Sequence, residues 1–163
     1  MMSTPIRTAV ITASDACSRG ERPDDSGAAL VELLAGSGAE VVETRILSDD
    51  LGPLVQSLEE LARRDDINLI LTTGGTGLGP RDNTPEATRQ VIEREAPGIA
   101  ETIRAESLKV TPMAMISRGV AGVASGTLII NLPGSPKAVR ESFAVIKPVL
   151  AHAVDLLAGK TRH

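Results

Sequence analysis

INLILTTGGTGLGPRDNTPE, residues 67 to 86, sets the class of fold. Ile67, Leu69, Ile70 and Leu71 form a short apolar run followed at once by turn residues, the pattern of a strand buried in a parallel sheet. Glycines stand at 74, 75, 77 and 79 in the loop after it. Glycine takes positive φ without strain and lets a ligand approach the main chain. Successive N–H groups of such a turn can line one concavity and hold an anion. Arg81 and Asp82 follow, and then Thr84-Pro85-Glu86 reads as an N-cap, a proline at the first helical position and an acidic first turn. Strand, glycine loop, charged pair and helix start together have the form of a phosphate site. A P-loop would need Lys and Ser or Thr after the last glycine, where Pro80 and Arg81 stand, and the dinucleotide fingerprint lacks its third glycine.

Upstream, residues 7 to 13 read as a first strand, leading into the polar loop SDACSRGERPDDSG. Taken locally, Ser14 and Asp15 are loop caps. Asp25 or Ser26 is expected to cap a helix that ends near Gly36 to Gly38, and residues 40 to 47 form a second strand running into Ser48-Asp49-Asp50. Asp50 is expected to cap the next helix, whose buried stripe is Leu54, Leu58, Leu61 and Ala62. That leaves Asp49 free for another task.

Downstream, the helix that starts at Pro85 is expected to run through Val91, Ile92 and Ala96 to Pro97-Gly98. Another follows on Ile99, Ile103 and Leu108 and closes before Pro112. Residues 113 to 133 read as strand structure with a turn at Ser125-Gly126. Ser135 caps a last helix with Pro136 at its first position and a break expected at Pro148.

Alternating strands and helices over 163 residues predict one domain, 1–163, with an α/β fold. Its form is a three-layer αβα sandwich on a mostly parallel central sheet. In such a sheet the carboxyl ends of the strands share one edge, where ligands bind. Four polar loops then converge: Ser14-Asp15, Asp49, the glycine loop with Asp82, and Pro133-Gly134-Ser135-Pro136-Lys137. Carboxylates beside a phosphate loop repel the ligand unless a cation stands between them. Mg²⁺ takes one or two carboxylates plus phosphate oxygens, so Asp49 and Asp82 suit it. Phosphoryl-type transfer needs alignment and charge neutralisation more than covalent help, and Arg81, Lys137 and the glycine-loop amides can supply these.

Composition narrows the choice further. The net charge of −4 and scattered Lys and Arg argue against broad nucleic-acid binding. One Phe, no Tyr and no Trp leave an aliphatic core and no base-stacking platform. Cys17 alone and two histidines, His152 and His163, supply no zinc set, and neither histidine is placed for acid–base work. A single cysteine suggests a reducing compartment, and no stretch reaches the roughly 20 apolar residues of a membrane span. The expected location is the cytoplasm.

The motifs TTGGTG, RD-x-TPEA, SRGVAG and NLPGSPKAV occur in this order over nearly the whole chain. As a set they resemble the molybdopterin adenylyltransferase (MogA/MoaB) family of molybdenum-cofactor biosynthesis, which includes the gephyrin G domain. The resemblance implies an enzyme that uses ATP and Mg²⁺ to adenylylate the terminal phosphate of molybdopterin, with loss of pyrophosphate. It also implies a homotrimer or hexamer, and hand-over of the product to a molybdenum insertase. The family's two key aspartates fall on Asp49 and Asp82, as catalytic and metal-binding residues. Its glycine-rich substrate loop falls on Thr73, Gly74, Gly75, Thr76 and Gly77. Ser14, Asp15, Arg81, Ser117, Arg118, Gly119, Pro133, Gly134, Ser135 and Lys137 complete the expected substrate contacts. MoaB-type members often replace the Arg before the second Asp, whereas Arg81, Asp82, Thr84 and Pro85 here keep the MogA-like form. Two other functions fit the same fold: a module that binds molybdopterin or a partner without chemistry, and a nucleotide pyrophosphatase of the CinA type.

Overall fold

The computed structural model describes residues 2–160. His163, expected to take no part in acid–base work, lies outside them. Six strands form one sheet in the order β2-β1-β3-β6-β5-β4. The strands β1 (Arg7–Ala13), β2 (Glu40–Leu47), β3 (Leu69–Thr73) and β6 (Thr127–Leu132) run parallel, as expected. Strands β5 (Ala121–Ala124) and β4 (Arg94–Glu95) add an antiparallel edge. Ser125 and Gly126, at φ 50° and 77°, turn β5 into β6. Positive φ at both central residues gives this two-residue turn the twist that a hairpin needs.

The strand residues alternate between two apolar cores, which makes the molecule three-layered. Val10, Leu69, Leu71, Ile130 and Leu132 face α2 (Asp25–Gly36), α5 (Pro97–Leu108) and α6 (Pro136–Leu157). Ala9, Ile11, Ile70 and Ile129 face α3 (Leu51–Ala62) and α4 (Thr84–Val91). All five residues of β3 are buried, because helices cover both of its faces. Leu54, Leu58 and Leu61 of α3 are essentially inaccessible, and burial of each contributes about 1.5–3 kcal/mol.

Several local expectations give way to long-range contacts. Asp24, rather than Asp25 or Ser26, caps α2 by accepting from Gly27 N. Helix α4 stops at Val91, because Glu93 N and Ala96 N donate to Val123 O and Ala121 O and so draw the chain onto the sheet edge. Gly122 allows that approach, since a Cβ there would stand 2.6 Å from Arg94 O. Residues 112–116 form a 3₁₀ helix instead of a strand, capped by Thr111 through Met113 N.

Pro148 does not break the last helix, which runs unbroken over 22 residues. The proline faces solvent, while Phe143, Ile146, Leu150 and Val154 anchor the helix on both sides of it. A proline inside a helix still removes one hydrogen bond. Pro148→Ala is therefore expected to raise stability by about 1–2 kcal/mol, read as a higher urea midpoint at unchanged slope.

Candidate active site

The carboxyl ends of β1, β2, β3 and β6 meet between β1 and β3, where the chain reverses its direction of winding across the sheet. Crevices form at such points in open parallel sheets. The glycine turn sits in this one. Gly74 takes φ 91° and Gly75 φ 68°. Thr84 fixes the turn from the start of α4. Its Oγ1 donates to Gly74 O at 2.9 Å and its N–H to Gly75 O at 3.1 Å. The cap expected of Thr84 is absent: Asn83 occupies the N-cap position without a side-chain bond, and its Nδ2 instead donates to Asp49 O at 2.9 Å. The chain of bonds continues into the core. Thr88 Oγ1 donates to Thr84 O, and buried Asn131 Nδ2 donates to Thr88 Oγ1 and Thr72 Oγ1.

Asp15 and Asp49 brace the ends of β1 and β2 reciprocally. Asp15 N donates to Asp49 Oδ2 and Asp49 N to Asp15 Oδ1, each at 3.0 Å. Ser14 caps the short α1 (Asp15–Ser18) through Cys17 N, matching the local reading. Asp50 stands at the N-cap of α3 but makes no capping bond, contrary to expectation. Its carboxylate meets Arg81 Nη2 at 2.9 Å instead, because the glycine loop brings a cation within reach. Arg81 also grips Asp15, with Nη2 at 2.9 Å from Oδ1 and Nε at 3.1 Å from Oδ2.

These contacts set the charge states. The Arg81 guanidinium, helped by Asp49 N–H, lowers the Asp15 carboxyl to a pKa of about 2. A depressed carboxylate contributes stability above its ordinary pKa, and loses it as pH falls from about 4 through about 2. Arg81→Ala is expected to return the Asp15 titration midpoint toward the ordinary value of 3.8, as followed by carboxyl carbon NMR. Asp49 shifts the other way. Desolvation raises its pKa, and the nearby charges of Asp15 and Asp82 add to the rise. Its Oδ1 is buried and accepts no hydrogen bond.

Two cavities flank the glycine turn. One, of about 230 Å³, is polar and is lined by Ser14, Asp49, Thr73, Gly74, Gly75, Asp82 and Gly134 among others. The other, of about 300 Å³, is lined by Thr76, Gly77, Ser117, Pro133 and Ser135, with apolar walls from Ile103 and Ile116. The gathering of residues 49 and 82 at the turn, expected from topology, is what the fold produces. Asp15, Arg81, Arg118, Gly119 and Lys137 line neither cavity. Lys137 is exposed and stands 3.8 Å from Glu141. Gly119 O accepts from Arg104 Nη1 at 2.8 Å. Residues passed over by the sequence reading also line the polar cavity: Thr12, Cys17, Arg22 and Ser26. Thr12 Oγ1 donates to Asp24 Oδ2 at 2.8 Å, a link between β1 and the start of α2 that no local pattern signals.

The donor set suits Mg²⁺. Among the described residues no group of three or more His, Cys, Asp and Glu side chains forms a metal cage. Mg²⁺ does not need one where substrate phosphates complete its shell. The buried, unpartnered Asp49 Oδ1 is the oxygen such a cation would neutralise. A Cβ on Gly75 would stand 3.3 Å from it, so glycine keeps that space open. Asp82 Oδ2 accepts from Gly79 N at 2.9 Å, and Asp82 lines the same cavity.

The profile of a family described as "Probable molybdopterin binding domain" matches residues 9–152. The molybdopterin adenylyltransferase of Helicobacter pylori strain J99 is 40% identical over 156 residues, covering 94% of this chain and 89% of that one. The molybdenum cofactor synthesis protein cinnamon of Drosophila melanogaster is 46% identical over 149 residues; these are 91% of this chain but only 25% of that longer protein. Among solved structures, the molybdopterin biosynthesis enzyme MoaB of Thermus thermophilus superposes with a TM-score of 0.89 at 50% identity, covering 95% of this chain and 98% of that one. No helix among the described residues is long and apolar enough to cross a membrane.

Proposed function

This chain belongs to the family of probable molybdopterin-binding domains, and on that premise we propose that it transfers the adenylyl group of ATP to the terminal phosphate of molybdopterin. A phosphate oxygen attacks the α-phosphorus, the bond to the β-phosphate bridging oxygen breaks, and pyrophosphate leaves. The observation that carries this reading is the buried, unpartnered Oδ1 of Asp49, a residue that lines the same polar cavity as Asp82 and the glycine turn. Asp49 and Asp82 would hold Mg²⁺, which when bound neutralises charge on the phosphates. The Gly74 N–H donates at 3.3 Å to Leu132 O, so the amides proposed for a phosphate are those of Gly75, Thr76 and Gly77.

Exposed Met113, Met115, Ile116 and Val110 form an apolar group around the 3₁₀ helix, which supports self-association, read here as a trimer. A cytoplasmic site of action and delivery of the product to a molybdenum insertase complete the proposal. Purified protein with molybdopterin, ATP and Mg²⁺ should release pyrophosphate stoichiometrically with adenylylated pterin. Binding of the pterin by calorimetry with no ATP-dependent product would instead make the chain a binding module.

A further inference from the structure

Arg118 donates through all three guanidinium nitrogens, and every acceptor lies in the segment that carries Asp82. Nε reaches Gly77 O at 2.7 Å, Nη2 reaches Asp82 O at 2.8 Å, and Nη1 pairs with the Glu86 carboxylate in the first turn of α4. Its own N–H donates to Thr76 O at 2.8 Å. The two ends of the loop 77–82 are thereby tied to one planar group. Within the loop, Asp82 N donates to Gly79 O at 3.0 Å and Gly79 N returns to Asp82 Oδ2 at 2.9 Å. The planar guanidinium reaches these acceptors from three separate nitrogens, a spread that the single nitrogen of a lysine ammonium lacks.

Arg118 is itself fixed to the core. Two residues on, Val120 N donates to the buried Asn131 Oδ1 at 3.1 Å, and Asn131 bonds in turn to Thr72 and Thr88. Glu86 depends on the pairing, since its Oε2 is buried and accepts no bond. Arg118 lowers the Glu86 pKa, which keeps the carboxylate charged.

We propose that Arg118, braced by Glu86, is a positioning residue: it holds Asp82 in the wall of the polar cavity, and Gly77 in the wall of the neighbouring one, without touching substrate. The kinetic part of this inference rests on the adenylyl transfer proposed above; the conformational part does not. Misplacement of a positioned group by about 1 Å lowers turnover by about 10²-fold, and loss of a residue supporting a metal ligand weakens metal affinity by about 10–100-fold.

The test compares Arg118→Ala, Arg118→Lys and Glu86→Gln with the wild type by two readouts. In amide hydrogen exchange, residues 77–82 should exchange about tenfold faster or more in Arg118→Ala, while β1, β3 and β6 stay protected. In the pyrophosphate assay, kcat should fall by about 10²-fold, with KM for ATP and molybdopterin within about threefold of wild type and half-saturating Mg²⁺ raised about tenfold. Arg118→Lys and Glu86→Gln should show intermediate losses, and they carry the test if Arg118→Ala does not fold. Arg89→Ala, on the same helix as Glu86, removes an exposed contact to Glu95 of β4 at 3.6 Å and should alter neither readout. Unchanged exchange across 77–82 overturns the proposal. So does a raised KM with unchanged kcat, which would make Arg118 a substrate contact. A wild type that releases no pyrophosphate defeats the adenylyl-transfer reading, while the exchange data still decide whether Arg118 holds the loop.

Discussion

Asp49→Asn and Asp82→Ala should each lower pyrophosphate release by about 10³-fold, leaving the fold intact. A cation that neutralises developing phosphate charge is worth several kcal/mol in the transition state, and each factor of ten in rate is about 1.4 kcal/mol. Both carboxylates line the cavity in which the cation would sit. Neither packs in the apolar core, so melting temperatures should change little.

For Asp49 the sign of the stability change can be worked out. Desolvation raises its pKa on folding. Its ionised form at neutral pH is therefore disfavoured by folding, and any stabilising contribution is present only below the ordinary carboxylate pKa. Asparagine still offers an oxygen to Asp15 N and removes the buried charge. Asp49→Asn should thus melt at or above the wild-type temperature at pH 7, and the gain should vanish near pH 3. Full turnover in both variants would sink the assignment of these aspartates. A fall in the melting temperature of Asp49→Asn at pH 7 would show that Asp49 serves the fold rather than the site.

The largest stability loss is expected at Gly74. Its φ of 91° disfavours any side chain, and a Cβ there would stand 2.4 Å from the backbone oxygen of Ala13. That oxygen ends β1, which is held between β2 and β3, so it has little room to move. Gly134 closes the other side, its own Cβ position being 3.2 Å from Gly74 Cα. Backbone strain of about 1–3 kcal/mol and overpacking of similar size together put Gly74→Ala at about 4 kcal/mol of destabilisation. For a domain with about 5–15 kcal/mol in hand, that is a large share. Gly98→Ala is the control. It sits in the first turn of α5 with nothing within 4 Å of the new methyl, and should change stability by no more than about 1 kcal/mol. Equal urea midpoints for the two variants would refute this account of the loop.

Much of the frame was legible in residue order, and the reason is local periodicity. The fully apolar Leu69–Leu71 run implies burial on both faces, the leucine stripe at 54, 58 and 61 implies a one-sided helix, and the turn residues after each strand mark the shared edge. From these the parallel sheet follows, and so does the meeting of residues 49 and 82 at the glycine turn. The strict motif order adds the family.

What the sequence left open was the choice of partner. Asp50 is a sound N-cap by its neighbours, yet its carboxylate goes to Arg81, 31 positions away, because an exposed guanidinium offers more than an amide that water can also satisfy. Thr84 is likewise drawn from capping to Gly74 O. Pro148 stays helical since buried anchors on either side outweigh one missing hydrogen bond. Gly74 and Gly98 look alike as letters, and only the packing of three strand ends makes one of them irreplaceable. Periodicity is written into the chain, whereas partnership depends on which groups folding brings within about 3 Å of each other.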